Sequence, residues 1–448
     1  MALDQLEATL PNAEAASLVV SWFGNDLRAG HCQLRPAVEI ASKSTSPREW
    51  SVAGRTRGTA PVMSLTEGRP SYGGTPDDHS VVGAIRHLAA RGISVTLNPF
   101  ILLDIPADNT LPDPYTGAAA QPAHPWRGRI TCDPAPGRPG TVDKSSAVLS
   151  QIASFIGTAA PADFALSGDT VVYSGPAEWS LRRMILHYAW LAKAAGGVDA
   201  FLIGSELRGL TTLRSATSTY PAVAALVTLA NDVKSVLGPA VKVSYAADWS
   251  EYFGHQPADG SGDVHFHLDP LWSSPPVDAV GIDLYWPLAD WRDGSGHLDA
   301  AAGTRSIHEL AYLKSNIRGG EGFDWYYASD SDRADQVRTP ITDGAGKPWV
   351  FRYKDLRSWW LSQHFDRPGG TEAPTPTAWV PQSKPVWLME VGCPAVDKGP
   401  NQPNVFVDPK STESSLPHFS LGTRDDLAQR RYIQALIEGF DPTHPGYL

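Results

Sequence analysis

Apolar positions along the chain fall into two recurring patterns. Short unbroken apolar runs bounded by turn residues read as buried strands. They lie at 18–24, 94–100, 200–207, 241–248, 277–286 and 385–392, and a further strand is expected in the irregular stretch near 63–65. Between them apolar residues recur at helical spacing. The sets are Val81, Ala84, Ile85 and Leu88; Leu181, Met184, Ile185 and Tyr188; and Val223, Leu226, Val227 and Ala230. They continue with Ile307, Leu310 and Ala311; Leu356, Trp359 and Trp360; and Ile433, Leu436, Ile437 and Phe440. Thr75-Pro76-Asp77-Asp78 reads as a helix start, with a capping Thr and a Pro in the first turn, and Gly92 as the stop. The polar residues 1–16 are expected to be frayed or helical.

Strands alternating with helices over the whole length mean βα units and a parallel sheet. Residues with chemical potential follow most of the strands. A (β/α)8 TIM barrel gathers all strand carboxyl ends on one face, whereas a doubly wound sheet would not collect residues from so many strands. The expected fold is therefore α/β, a (β/α)8 barrel with long βα loops. Seven strands can be counted and the eighth is missing. We expect residues 1–448 to form a single barrel domain excised from a longer protein. The stretches 102–176 and 320–350 are too long for ordinary connections. Both are expected to fold over the strand carboxyl ends and line a cleft with Trp and Tyr.

Composition narrows the function. The net charge is −11 and no basic run occurs, which argues against nucleic acid as the ligand. No apolar run is long enough to span a membrane. Met1-Ala2-Leu3-Asp4-Gln5-Leu6-Glu7 is acidic and does not read as a signal peptide, so synthesis in the cytoplasm without such a leader is expected. Cys32, Cys132 and Cys393 are too few for a disulfide framework and read as free thiols. Fifteen Trp and fourteen Tyr are many, and several Trp lie in loops, where an aromatic face suits the C–H face of a sugar.

Two strands end in a carboxylate: 200–207 carries Glu206 and 385–392 carries Glu390. A charge at the end of a buried parallel strand is costly unless it lies at the open rim where ligands bind. Two such glutamates facing each other form the simplest constellation for cleaving a glycosidic bond. Tyr285, after the 277–286 strand, is placed to hydrogen-bond a nucleophilic carboxylate. Asp248 and Asp283 are further strand-end carboxylates suited to sugar hydroxyls, and Asn98 and Trp22 are expected at rim positions. Trp126, Trp249, Trp286 and Trp325 are candidate sugar platforms. Two carboxyls this close cannot both ionise easily, so one of the pair is expected to hold a proton. His265-Phe266-His267 offers a His-x-His pair without a third ligand at standard spacing. It is read as surface histidines, with no metal and no cofactor expected.

These stretches also resemble a known family. Trp22-Phe23-Gly24-Asn25-Asp26-Leu27-Arg28-Ala29-Gly30, Pro70-Ser71-Tyr72-Gly73-Gly74-Thr75-Pro76, Pro125-Trp126-Arg127-Gly128-Arg129-Ile130 and Gly204-Ser205-Glu206-Leu207-Arg208-Gly209-Leu210 carry the likeness. So do Phe351-Arg352-Tyr353-Lys354-Asp355 and Met389-Glu390-Val391-Gly392-Cys393-Pro394. Over nearly all its length the chain resembles the TIM-barrel-like glycoside-hydrolase domain of gene transfer agents and tailed-phage tail proteins. That family is related to the clan of retaining (β/α)8 glycosidases. The resemblance implies Glu206 as acid/base, and so as the member expected to hold the proton, and Glu390 as nucleophile, expected to stay ionised. The clan's Asn before the acid/base, which contacts the sugar 2-hydroxyl, is here Ser205. It also implies a retaining hydrolase of a cell-envelope polysaccharide, peptidoglycan or capsule, working among tail and baseplate proteins in a released phage-like particle. The alternative is a non-catalytic carbohydrate-binding or structural baseplate module. The sugar hydroxyls and the tail partners are expectations of this kind.

Overall fold

The structure, a computed structural model, describes residues 2–444. Six parallel strands form its centre: β1 (Ala15–Gly24), β2 (Ser94–Leu103), β3 (Ala200–Ser205), β4 (Lys242–Asp248), β5 (Val280–Leu284) and β6 (Val386–Val391). They lie in sequence order, each parallel to the next. Parallel neighbours need a crossover between them, and the helices supply it. Leu181–Ala195 leads into β3, Pro221–Leu237 leads into β4, and the two pack against each other on the outside of the sheet. Ser180 caps the first by accepting from the Arg183 N–H, and Pro221 opens the second. The long helix Asp426–Phe440 follows β6. The fold is a TIM-barrel-like α/β domain, as the alternation of patterns predicts.

Two details depart from the sequence reading. The strand expected near 63–65 is only Leu65–Thr66, paired with Arg69–Pro70 in a separate hairpin. β2 therefore lies directly beside β1, with Val19 opposite Asn98. The other edge of β1 takes a two-residue antiparallel strand, Leu34–Arg35. The first-turn cap of helix Asp78–Ala89 is Asp77, which accepts from Ser80 N at 3.0 Å. Thr75 instead ties its loop to β1 and to the stretch after Leu34–Arg35, donating to Ser21 O and accepting from Ala37 N.

Burial follows the sheet. β3, β4 and β5 are buried over almost their whole length, as expected of central parallel strands. β6 is half-buried throughout and ends in the exposed Val391, so it forms one edge of the sheet among the described residues. No helix among the described residues is long and apolar enough to cross a membrane.

Candidate active site

Glu206 follows directly on β3, whose last residue is Ser205. Its φ of +50° lies in the left-handed region, where a side chain is tolerated only if its surroundings hold it. The turn is pinned on both sides. Glu206 N donates to Ala246 O at 2.8 Å, and Leu207 N donates to the Tyr245 hydroxyl at 2.6 Å. Tyr245 in turn donates to the buried Glu251, 3.0 Å away. This backbone aims the Glu206 carboxyl along the strand ends. There Oε2 accepts the Trp126 indole N–H at 2.5 Å and lies 2.9 Å from the Arg127 guanidinium.

Arg127 is the hub of this side of the site. Its Nε donates to Ser205 O at 3.0 Å and its Nη2 to Ser205 Oγ at 2.7 Å. Its flat face lies 3.7 Å above the centre of the Phe100 ring. Ser205 Oγ donates its own hydrogen bond to Asp283 Oδ2 at 3.0 Å. The hydroxyl is thus engaged between Arg127 and Asp283.

Glu390 enters from β6. The ladder between β5 and β6 shifts register so that Asp283 pairs with Glu390. The Tyr285 hydroxyl donates to Glu390 Oε2 at 2.8 Å. Oxygens of Glu206, Asp283 and Glu390 lie within 4.8 Å of one another. Burial pushes the Glu390 carboxyl up, and the charge of Glu206 adds to the rise; Arg127 and Tyr285 act against it. The expectation of an ionised Glu390 thus meets opposing influences: burial and Glu206 on one side, Arg127 and Tyr285 on the other. Asp248, at the end of β4, is pushed up to about 6 by burial and the charge of Glu206, although Ser250 N donates to it at 2.9 Å.

A cleft of about 970 Å³ opens over these groups, lined by Trp126, Arg127, Glu206, Asp248, Trp249, Tyr285 and Glu390. It is also lined by Val391 and Pro394, from the stretch that carries Glu390, and by Val405, Phe406, Val407 and Glu413, from a segment the sequence reading left unassigned. Trp249 stands at the rim with Tyr353 packed edge-on at 4.6 Å.

Of the expected site residues, Glu206, Glu390, Tyr285, Trp126, Asp248 and Trp249 line the cleft, and Ser205 and Asp283 lie buried beneath it. Four lie elsewhere. Trp22 alternates inward to the helix side, where it packs against Trp179, His187 and Tyr188. Asn98 is buried in mid-strand, because β2 continues to Leu103. Trp286 is covered by Phe440 of the last helix and lines a separate cavity of about 450 Å³. Trp325 packs edge-on against Tyr327 and lies under the Arg338 guanidinium. None of the four lines the cleft, nor does the stretch 320–350. Of 102–176, Trp126 and Arg127 reach it, while helix Val148–Ile156 packs on the outer helices. His265 and His267 are not on the surface: they are 1% and 3% exposed, against Tyr220. Arg127 was not singled out, although an Arg beside a Trp in a Pro- and Gly-rich loop is the signal that could have marked it.

Comparison with known proteins adds a family. The model described as the GTA TIM-barrel-like domain matches residues 179–446. No curated protein matches the chain. Among solved structures, a complex of a GH113 beta-1,4-mannanase is 13% identical, with a TM-score of 0.41, covering 100% of this chain and 80% of that one. The GH113 beta-mannanase AaManA from Alicyclobacillus acidocaldarius, in complex with ManMIm, is 14% identical with a TM-score of 0.39. That match covers 98% of this chain and 77% of the other.

Proposed function

The chain belongs to the family of GTA TIM-barrel-like domains, and from that premise we propose that it is a retaining glycoside hydrolase. Its substrate is a cell-envelope polysaccharide, peptidoglycan or capsule, and its setting is the tail tip of a released phage-like particle, among other tail and baseplate proteins. Residues 1–448 act as one catalytic domain of that assembly. One observation carries the reading. Two glutamates from β3 and β6 bring oxygens within 4.8 Å of each other at the strand carboxyl ends, inside an open cleft. Retaining glycosidases hold their carboxyls about 5–5.5 Å apart, and inverting ones leave room for a water.

In this mechanism Glu390 attacks the anomeric carbon while Glu206 protonates the departing glycosidic oxygen. Glu206 then takes a proton from water, which releases the sugar from Glu390 with its configuration kept. The Tyr285 hydroxyl steadies the Glu390 oxygens in the ionised form that attacks. Trp126 and Arg127 fix the Glu206 carboxyl in one orientation. Asp248 and Trp249 are placed to hold sugar on the near side of the cleft.

A second reading, a carbohydrate-binding or structural module, is favoured by Arg127, whose guanidinium sets a positive charge beside the carboxyl that must act as acid. Hydrolysis of purified envelope glycans by the wild type and by Glu390→Gln separates the two. The enzyme reading expects products of retained configuration by NMR and loss of at least a thousandfold in the variant. Binding without turnover in both proteins supports the module.

A further inference from the structure

Asp283 is fully buried beneath the cleft, and its two oxygens have different surroundings. Oδ2 accepts the Ser205 hydroxyl at 3.0 Å. Oδ1 is closed off from solvent and has no hydrogen-bond partner. An ionised carboxylate only accepts, so a buried oxygen without a donor is a costly place for its charge. A protonated carboxyl carries an O–H and needs an acceptor, and carboxyl oxygens of Glu206 and Glu390 lie within 4.8 Å.

The groups facing Asp283 point the same way. Glu206 comes from the end of β3, Asp248 lies opposite in register on β4, and Glu390 lies opposite on β6. From just past the end of its own strand, Tyr285 directs its hydroxyl to Glu390. Two guanidiniums face this group of four carboxyls. Arg127 gives its Nε and Nη2 to Ser205 and Glu206, and Arg208 reaches the cleft on the Asp248 side. Neither forms an ion pair with Asp283.

We propose that Asp283 is a positioning residue for the reaction described above: a neutral carboxyl whose buried O–H is offered to the glutamate pair beside it. It holds Glu206 and Glu390 at working separation without adding another negative charge between them. Burial, followed by the charges of Glu206 and Glu390, pushes its carboxyl well up, against Arg127 and Ser205. This inference rests on the retaining two-glutamate reading.

The test compares the wild type with Asp283→Asn, which keeps shape and neutrality, and Asp283→Ser, which is neutral and smaller. In infrared difference spectra at neutral pH, each substitution should remove one carbonyl stretch of a protonated carboxylic acid. Loss of a carboxylate band instead overturns the proposal, whether or not the protein hydrolyses glycans. In the pH profile of glycan hydrolysis, ionisation of Asp283 should limit the wild type on the alkaline side. Asp283→Asn should keep activity within about tenfold and move that limb up by about one pH unit. Asp283→Ser should lose about a hundredfold in kcat with little change in KM. An unchanged alkaline limb, or equal activity in all three proteins, overturns the positioning role. A wild type without any hydrolysis removes the retaining reading and the catalytic purpose of Asp283 together, while the spectra still decide its proton.

Discussion

Tyr285 and Glu390 are joined by a 2.8 Å hydrogen bond across 105 residues of sequence. The phenol donates, so it favours the ionised carboxyl that must act as nucleophile. Burial and the charge of Glu206 push that carboxyl up. The two effects oppose each other, and Tyr285 is the donor that can be removed cleanly. A hydrogen bond to a charged group contributes about 1.5–3 kcal/mol. Tyr285→Phe is expected to lower kcat by about 10–100-fold. Without the donor Glu390 rises further, so the acid limb of the activity profile should move to higher pH. An acid limb that stays in place would separate Tyr285 from the nucleophile.

Trp126 and Trp22 make a matched pair. Trp126 donates its indole N–H to Glu206 at the cleft wall, whereas Trp22 is fully buried among Trp179, His187 and Tyr188. Trp126→Phe should cost activity, about tenfold or more in kcat, with little change in melting temperature. Trp22→Ala should destabilise by about 3–5 kcal/mol and leave the KM of the remaining folded protein unchanged. Denaturant melts and steady-state kinetics on both variants measure this. A KM change in Trp22→Ala would mean that the core position reaches the substrate.

The difference between those two tryptophans shows what the sequence could and could not carry. Apolar runs mark all six parallel strands, because a parallel sheet buries both faces. Glu206, Glu390 and Tyr285 were legible because a polar group ending such a run has only the rim to occupy. Strand pairing was less legible, since nothing in 63–65 distinguishes a two-residue hairpin from a strand of the main sheet. Trp22 sits one residue before Phe23, and only the pleat decides which face each meets. The burial of His265 and His267 depends on Tyr220, supplied from a position more than forty residues earlier. Arg127 and Phe406 come from irregular segments, where no periodicity announces a direction.

Glu251 lies beneath the Glu206 turn. Its carboxyl accepts from Thr211 Oγ1, from the Tyr245 hydroxyl and from Asp248 N, and burial pushes it up to about 8. An acid raised in the folded state binds its proton more tightly there than when unfolded. Its contribution is complete below the ordinary carboxyl range and is lost as pH rises through about 8. Wild-type stability from this group should therefore fall between about pH 4.5 and 8. Glu251→Gln, neutral throughout, should lose that slope and gain on the wild type by a few kcal/mol at pH 8–9. Denaturant midpoints across this range are the measurement. A variant whose disadvantage grows with pH would mean that Glu251 is ionised in the fold.

The apolar lining of the cleft makes the last prediction. Val391, Phe406 and Val407 line the site yet are 41%, 46% and 60% exposed. Large apolar side chains this open contribute little to the core, so their removal should not unfold the protein. Trp126 and Trp249 line the same cleft, whose volume of about 970 Å³ is enough for part of a sugar chain. Three aromatic rings along one cleft suit an extended glycan, whose ring faces pack on aromatic planes. Phe406→Ser should weaken binding of an envelope oligosaccharide about tenfold, seen as a higher KM with kcat kept, because an apolar ring supplies neither proton nor charge to the reaction. Phe406→Trp should restore it. The melting temperature should stay within about 2 °C of wild type in both. Lower kcat with unchanged KM in Phe406→Ser would place this lining at the reacting bond and remove it from the remote sugar positions.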